Sequence, residues 1–307
     1  MPDFEFRKHP TTGKWLVFAP RRSKRTNMGG SKKPVEVCPF CVGQEANEPE
    51  VYRVPARSAS QSDAGGGGEA GDSKWQIRVI PNKFPFTPHH EIIIHSPDHH
   101  KNIDELPFEQ VELLIQTYRH RFHAHKKDGQ VYIFHNRGHE SGESLPHPHT
   151  QIAVVPHHVK LDIPPLDNAV YKDKTALETE EFLVFCPESS DWPDEVWIAP
   201  KAKNTSFADI TDAQATDLAF TLSRVIQIHD LRHGYEFPFN FYIYPGKNWY
   251  LRVIPRLKIL GGFELGTNVI VNTQDPRETF AFIKEHFWQP NTEKIKKEHK
   301  ADYVKKV

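Results

Sequence analysis

Between Trp75 and Pro156 the apolar positions alternate between two periods, and each change of period marks an element. Trp75-Gln76-Ile77-Arg78-Val79-Ile80 and Glu91-Ile92-Ile93-Ile94 are β-rich runs, with Pro81, Pro85 and Pro88 breaking the chain between them. Phe108, Val111, Leu114, Tyr118 and Phe122 then recur at helical spacing behind the acidic start Asp104-Glu105-Leu106-Pro107. Val131-Tyr132-Ile133-Phe134 and the run Ile152 to Val155 return to strand. The predicted order is strand, strand, helix, strand, strand.

That order comes back further along. Glu195 to Lys201 reads as a strand, Leu218, Leu222, Val225 and His229 lie on a helix, and Phe239 to Tyr244 and Tyr250 to Pro255 are strands. Superposing the copies lays Ile254-Pro255 on Val155-Pro156 and sets Asn248 opposite His149. The expectation is an α+β fold of two tandem halves, residues 1–160 and 161–307, each an antiparallel sheet with packed helices. Only the first half carries a histidine motif, so one half holds the chemistry and the other supports it.

The motif is His147-Pro148-His149-Thr150-Gln151, at the head of the Ile152–Val155 strand. On an extended backbone, alternate residues point to one side, so two imidazoles and a carboxamide converge. Imidazole serves either metal ligation or nucleophilic attack, because it is largely neutral near pH 7 and its two nitrogens are committed separately.

Cys38-Pro39-Phe40-Cys41 narrows that choice. A C-x-x-C turn brings two thiolates towards one point, about 2.3 Å from a tetrahedral zinc. Two further ligands are needed, and His99 and His147 are the candidates. Such a Cys2His2 site is closed and therefore structural. If zinc holds His147, His149 is left free to attack phosphorus, with Gln151 donating to a phosphate oxygen as charge develops. Pro20-Arg21-Arg22-Ser23-Lys24-Arg25 offers guanidinium groups for phosphate, and Asn136 to Ser144 adds small residues and backbone amides.

Composition changes the picture in three places. A chain of 307 residues, 37% hydrophobic, has enough apolar content for a sizeable core. Its 39 basic and 40 acidic residues leave a net charge of -1, which argues against nucleic acid or an anionic membrane as partner and makes any anion site local. Three cysteines are too few for a disulfide framework, and no apolar stretch is long enough for a signal or a membrane span, so a cytoplasmic protein is expected. Cys186, next to Phe182-Leu183-Val184-Phe185, reads as apolar filler. Ser58 to Ser73, with Gly65 to Gly68, reads as a surface excursion and lacks the Lys-Ser/Thr and helix of a P-loop. The charged tail Asn291 to Val307 reads as a solvated helix or frayed end.

Taken together, these residues resemble the galactose-1-phosphate uridylyltransferases of the histidine-triad superfamily, over roughly Phe4 to Asn272. The resemblance implies two histidine-triad-like halves and one structural zinc on Cys38, Cys41, His99 and His147. It also implies phosphate contacts from Arg22 and Arg25, and a nucleoside-binding stretch at Asn82-Lys83-Phe84. Asn136, Gly142, Ser144, His149 and Gln151 match the nucleotide-phosphate loop, the nucleophile and its oxyanion partner. Gly261-Gly262-Phe263-Glu264 resembles the segment whose glutamate contacts sugar hydroxyls. The implied reaction belongs to galactose metabolism. His149 takes a nucleoside monophosphate from a nucleotide sugar such as UDP-glucose and passes it to another sugar 1-phosphate, in a homodimer whose site borrows residues across the interface.

There are departures. Asn248 to Val253 offers none of the late-strand histidines that hold a second metal in some members, so no second metal is expected. Lys83 stands where an acidic residue is frequent, and Glu143 where a small one is usual. An adenylyl-transferring relative of the ADP-glucose phosphorylase type is the alternative enzyme, and a catalytically silent nucleotide-binding module the alternative class. Dinucleotide hydrolysis would call for a histidine where Gln151 stands.

Overall fold

The computed structural model describes residues 3–25, 37–56, 75–166, 176–235 and 237–289. The Gly65–Gly68 excursion and the tail from Asn291 lie outside the described residues. Two short strands, β1 (Glu5–Lys8) and β2 (Trp15–Phe18), pair with each other. Ten others form one antiparallel sheet: β3 (Tyr52–Pro55), β4 (Trp75–Pro81), β5 (His89–Ile94), β6 (Gln130–Arg137), β7 (His149–Val155), β8 (Leu177–Glu178), β9 (Phe182–Phe185), β10 (Val196–Pro200), β11 (Phe239–Ile243) and β12 (Leu251–Pro255). Their spatial order is β3-β4-β5-β7-β6-β11-β12-β10-β9-β8. The helices are α1 (Phe108–His125), α2 (Asp212–His233), α3 (Gly262–Thr267) and α4 (Pro276–His286).

The α+β class is as expected, but the strands expected in two sheets form one. The join is β6 against β11, where Asn136 sits opposite Asn240 and Ile133 opposite Ile243. On the helix side Val131 and Ile133 of β6 and Phe239, Phe241 and Ile243 of β11 bury apolar side chains in the same core. Pairing them therefore removes two sheet edges and extends one core across the seam.

The alternation in β6 shows how the faces are assigned. Val131, Ile133 and His135 are buried with α1 and α2, whereas Tyr132, Phe134 and Asn136 face the other way. On the helix side a single core takes Val111, Leu114, Ile115 and Tyr118 from α1 and Leu218, Leu222 and Val225 from α2. Each aliphatic side chain so buried contributes about 1.5–3 kcal/mol. Thr211 closes the start of α2 with a capping box: its hydroxyl accepts from the Gln214 amide and its own amide donates to the Gln214 side chain.

With both long helices on one face, the other face is left for chemistry. It carries two smaller apolar clusters, one around Phe40, Ile92 and Ile94, the other around Trp197, Tyr242 and Tyr250. Cys186 is half-buried and packs on the main core, in line with its reading as filler. No helix among the described residues is long and apolar enough to cross a membrane.

Candidate active site

β7 begins at His149, three residues earlier than its apolar run indicated, because His149 and Thr150 already pair with Ile94 and Ile93 of β5. Thr150, Ile152 and Val154 turn to the helix face, where Tyr118 and His95 hold the Thr150 hydroxyl at 2.5 and 2.7 Å. His149 and Gln151 turn to the open face. His147 lies in the bend before the strand, yet its ring and that of His149 both meet Phe40 edge-on, at 6.0 and 5.3 Å.

Phe40 is the residue that the C-x-x-C turn inserts between its cysteines. The turn brings Cys38 and Cys41 against His99 and His147, and the four donor atoms lie within 4.8 Å of one another. Sγ of Cys41 is 3.1 Å from Nδ1 of His99 and 3.6 Å from Nδ1 of His147, and Sγ of Cys38 is 3.8 Å from the latter. Zinc–sulfur and zinc–nitrogen bonds at the tetrahedral angle place S and N about 3.6 Å apart, so the cluster has the size of a metal site. The ring nitrogens are suitably committed. Nε2 of His147 lies 2.9 Å from the Ser96 carbonyl, which takes its proton and leaves Nδ1 as a lone pair for a metal. Burial and the neighbouring Cys38 push the Cys41 thiol up to about 11, a cost that a cation between the two sulfurs removes.

His149 is buried and its pKa is lowered to about 4, first by burial, so it is neutral at pH 7. Its Nδ1 lies 2.9 Å from the His147 carbonyl oxygen. The carbonyl only accepts, so Nδ1 carries the proton and Nε2 the lone pair. That is the tautomer a nucleophile requires.

Gln151 is held by a residue the sequence reading did not single out. Nε2 of His90 lies 3.0 Å from the Gln151 side-chain oxygen, and Asn82 Nδ2 reaches the same oxygen at 3.3 Å. With that oxygen engaged, the Gln151 –NH2 is the end presented to a ligand. Burial lowers His90 to about 3, so it too is neutral. The signal was weak because His89-His90 reads as part of a turn, and only pairing with Ala153 of β7 brings His90 alongside Gln151.

The basic segment folds as a short 3-10 helix, Pro20–Lys24, beside these groups. Arg22 donates to the Phe84 carbonyl at 2.8 Å, and its guanidinium lies 4.8 Å from the centre of the Phe86 ring. Burial lowers Arg22 to about 10, with the charge of Arg25 adding to it, and burial lowers Arg25 as well. Both arginines depress His90, and Arg25 also depresses His149. Two partly buried cations face two neutral imidazoles, which makes a local anion site in a chain of net charge -1.

Asn82 to Phe84 forms the bend between β4 and β5, where the Phe84 amide donates to Asn82 Oδ1. Lys83 points outward, 70% exposed and 3.7 Å from Glu48. The loop after β6 makes a tight 3-10 turn, His139–Ser141, ended by Gly142 at φ +85, a left-handed conformation that favours glycine. Glu143 folds back so that its carboxylate accepts from the Gly138 amide at 3.1 Å. Ser144 follows in the same loop.

Phe263 and Glu264 stand apart from this group. They sit on α3, where the Glu264 carboxylate accepts from the Gly261 amide at 2.9 Å and from Lys258 at 3.1 Å. Phe263 is exposed.

The chain is similar to several known proteins. Residues 87–158, from the turn before β5 to just past β7, match the family described as galactose-1-phosphate uridyl transferase, N-terminal domain. Over 344 aligned residues the chain is 25% identical to the ADP-glucose phosphorylase of Arabidopsis thaliana, with 92% of each chain covered. Over 325 it is 24% identical to the galactose-1-phosphate uridylyltransferase of Thermotoga maritima, covering 92% of this chain and 98% of that one. Among solved structures, an ADP-glucose phosphorylase from Arabidopsis thaliana with bound ADP-glucose superposes with a TM-score of 0.68 at 24% identity, covering 92% of this chain and 99% of the other. A uridylyltransferase gives 0.70 at 21%, covering 92% and 98%. At those identities the superpositions establish the fold. By its motifs, its match over residues 87–158 and its near full-length relatives, the chain is similar to the galactose-1-phosphate uridylyltransferase family.

Proposed function

We propose that the protein is a nucleotidyltransferase working through a covalent nucleotidyl-histidine. The observation that carries this is the His149 tautomer: Nδ1–H is given to the His147 carbonyl and Nε2 is unprotonated, on the same face of β7 as Gln151 and within the field of Arg25. In the first half reaction Nε2 attacks the α-phosphorus of a nucleotide sugar. The N–P bond forms as the P–O bond to the sugar 1-phosphate breaks. In the second, a phosphate oxygen of the acceptor attacks and the N–P bond breaks, returning neutral His149. The Gln151 –NH2, Arg22 and Arg25 bear on the charge that develops at the phosphoryl oxygens. UDP-glucose and hexose 1-phosphate, galactose 1-phosphate among them, are the substrates that the family supports.

A second reading, adenylyl transfer from ADP-glucose, is favoured by the Arabidopsis phosphorylase that matches 92% of the chain. Lys83 supports it too, since it faces solvent and Glu48 at the position where the uridylyl enzymes often carry an acidic residue.

Cys38, Cys41, His99 and His147 fit a structural zinc, which would tie the N-terminal segment to β7. Bound there, a metal would supply no step of the reaction; these residues would hold the backbone of His147, whose carbonyl sets the orientation of His149. We also read the chain as halves 1–160 and 161–307. The strand orders β4-β5-β7-β6 and β9-β10-β12-β11, mirrored about the β6–β11 seam, support this. A homodimer is supported by the segment after β12, where Ile259, Leu265 and Phe263 are 88%, 71% and 57% exposed. Free thiols fit a cytoplasmic setting.

The test is the first half reaction with UDP-glucose and ADP-glucose, each labelled in the nucleoside half. Acid-labile label on wild-type protein from one of them, absent in His149→Ala, is expected and names the nucleotide. No label from either, with tight nucleotide binding, would mean a silent binding module.

A further inference from the structure

Asn240, on the half that lacks the histidine motif, aims its side chain into the first half's phosphate loop. Its Nδ2 lies 2.7 Å from Oδ1 of Asn136 and 2.9 Å from the carbonyl oxygen of Ser141, and its Oδ1 lies 2.9 Å from Nη1 of Arg256. Which way an amide points is normally ambiguous, but here two groups decide it independently. A guanidinium only donates, so the atom facing Arg256 is oxygen. A backbone carbonyl only accepts, so the atom facing Ser141 is nitrogen.

The orientation passes on. Nδ2 of Asn240 donates to Asn136, so the atom of Asn136 that meets it is oxygen, and the –NH2 of Asn136 is turned away from the seam. Within the described residues that –NH2 makes no hydrogen bond. Register gives its level. Asn240 is opposite Asn136, and one step past the His135–Thr150 pair Asn136 comes level with His149. Arg256 is itself held, because its amide donates to the Pro238 carbonyl at 2.7 Å and its guanidinium lies 4.5 Å from the centre of the Trp192 ring.

We propose that Arg256 and Asn240 are positioning residues for the nucleotide site: a donor relay from the second half that fixes Asn136 with its –NH2 towards the ligand phosphates and pins the loop through Ser141. Without the relay, Asn136 is free to present either end, and its carbonyl would repel an anion. The proposal rests on the nucleotidyl-transfer reading only for the identity of the ligand. The orientation of Asn136 stands on the structure alone.

Asn240→Asp tests it, since the substitution is isosteric but turns the donor into an acceptor. The new carboxylate takes bonds from Arg256 and from the Asn136 –NH2, so Asn136 must flip. Two readouts are expected. The side-chain amide ¹⁵N–¹H signals of Asn136, assigned by their loss in Asn136→Ala, shift. Calorimetric binding of UDP or ADP, whichever wild-type prefers, weakens by about tenfold or more. In an Asn136→Ala background the same substitution weakens binding less than about threefold, because only the added charge remains. Arg256→Lys keeps a donor and retains most of the binding, whereas Arg256→Met removes the donor and weakens binding several-fold, with unfolding temperatures of both close to wild type. An equal loss in both backgrounds, or Asn136 signals that do not move, overturns the relay. If wild-type protein binds neither nucleotide, the nucleotidyl-transfer reading fails, and the Asn136 signals alone still decide the relay.

Discussion

Nε2 of His90 lies 3.0 Å from the side-chain oxygen of Gln151, across the β5–β7 pair. His90 is neutral, and Asn82, whose Oδ1 is committed to the Phe84 amide, donates from Nδ2 to the same Gln151 oxygen at 3.3 Å, so Gln151 is left with its –NH2 free to meet an oxyanion. A residue that fixes another's amide in this way acts on the transition state more than on the ground state. His90→Leu is expected to lower kcat by about 10–100-fold with KM for the nucleotide sugar changed less than about threefold. Steady-state kinetics checks this, and a loss confined to KM would contradict it.

The Cys2His2 cluster predicts close to one zinc per chain by elemental analysis. Removal by a chelator, or Cys41→Ser, frees the N-terminal segment from β7 and leaves buried donors unpaired. A loss of about 4 kcal/mol corresponds to a drop of roughly 10 °C in unfolding temperature. An unaltered melting curve after complete removal would contradict a structural role.

Gly142 at φ +85 has open space where a Cβ would stand, so Gly142→Ala meets a backbone cost and no clash. That cost is about 1–2 kcal/mol. The expected result is a melting temperature lower by a few degrees, with Gly142→Asn nearer to wild type because asparagine tolerates this conformation. Thermal unfolding of the two variants side by side measures it.

A pH dependence follows from Glu91, His125 and Arg121. The hydrogen bond to Glu91 raises His125 above 6.5, and the Glu91 carboxylate is lowered to about 2 because bonds from His125 and Arg121 outweigh its burial. The raised histidine stabilises the fold fully below its unfolded value near 6.5, and that stability fades as the pH rises through its folded value. Glu91 stays ionised throughout this range. His125→Ala should therefore cost more at pH 5.5, about 1–2 kcal/mol, than at pH 8.5. Denaturant unfolding at the two pH values is the measurement, and an equal cost at both would rule out the charged pair.

Much of the fold was legible in hydrophobic period alone. The two strand–helix–strand stretches are where the pattern put them, because strands and helices that bury one face must repeat apolar residues at 2.0 or 3.6. The short strands β1, β2, β3, β8 and β9 went unread, since two to four residues are too few to display a period. So did α3, where every residue but Glu264 is exposed. The Cys2His2 cluster was readable because a C-x-x-C turn sets two thiols at one point and calls for two further ligands, which His99 and His147 at the strand ends can supply.

What the sequence determined by itself is therefore chemical type: a two-cysteine turn, a pair of imidazoles with a glutamine, and a cluster of arginines, each visible because its residues are close in the chain. What only the tertiary structure decided is orientation. Which nitrogen of His149 carries the proton, which end of Gln151 faces outward and which end of Asn136 does so depend on His147, His90 and Asn240. The last two reach their targets through strand pairing, so nothing in local sequence foretells them. A side chain's type is covalent, whereas its direction is set by neighbours that folding alone brings together.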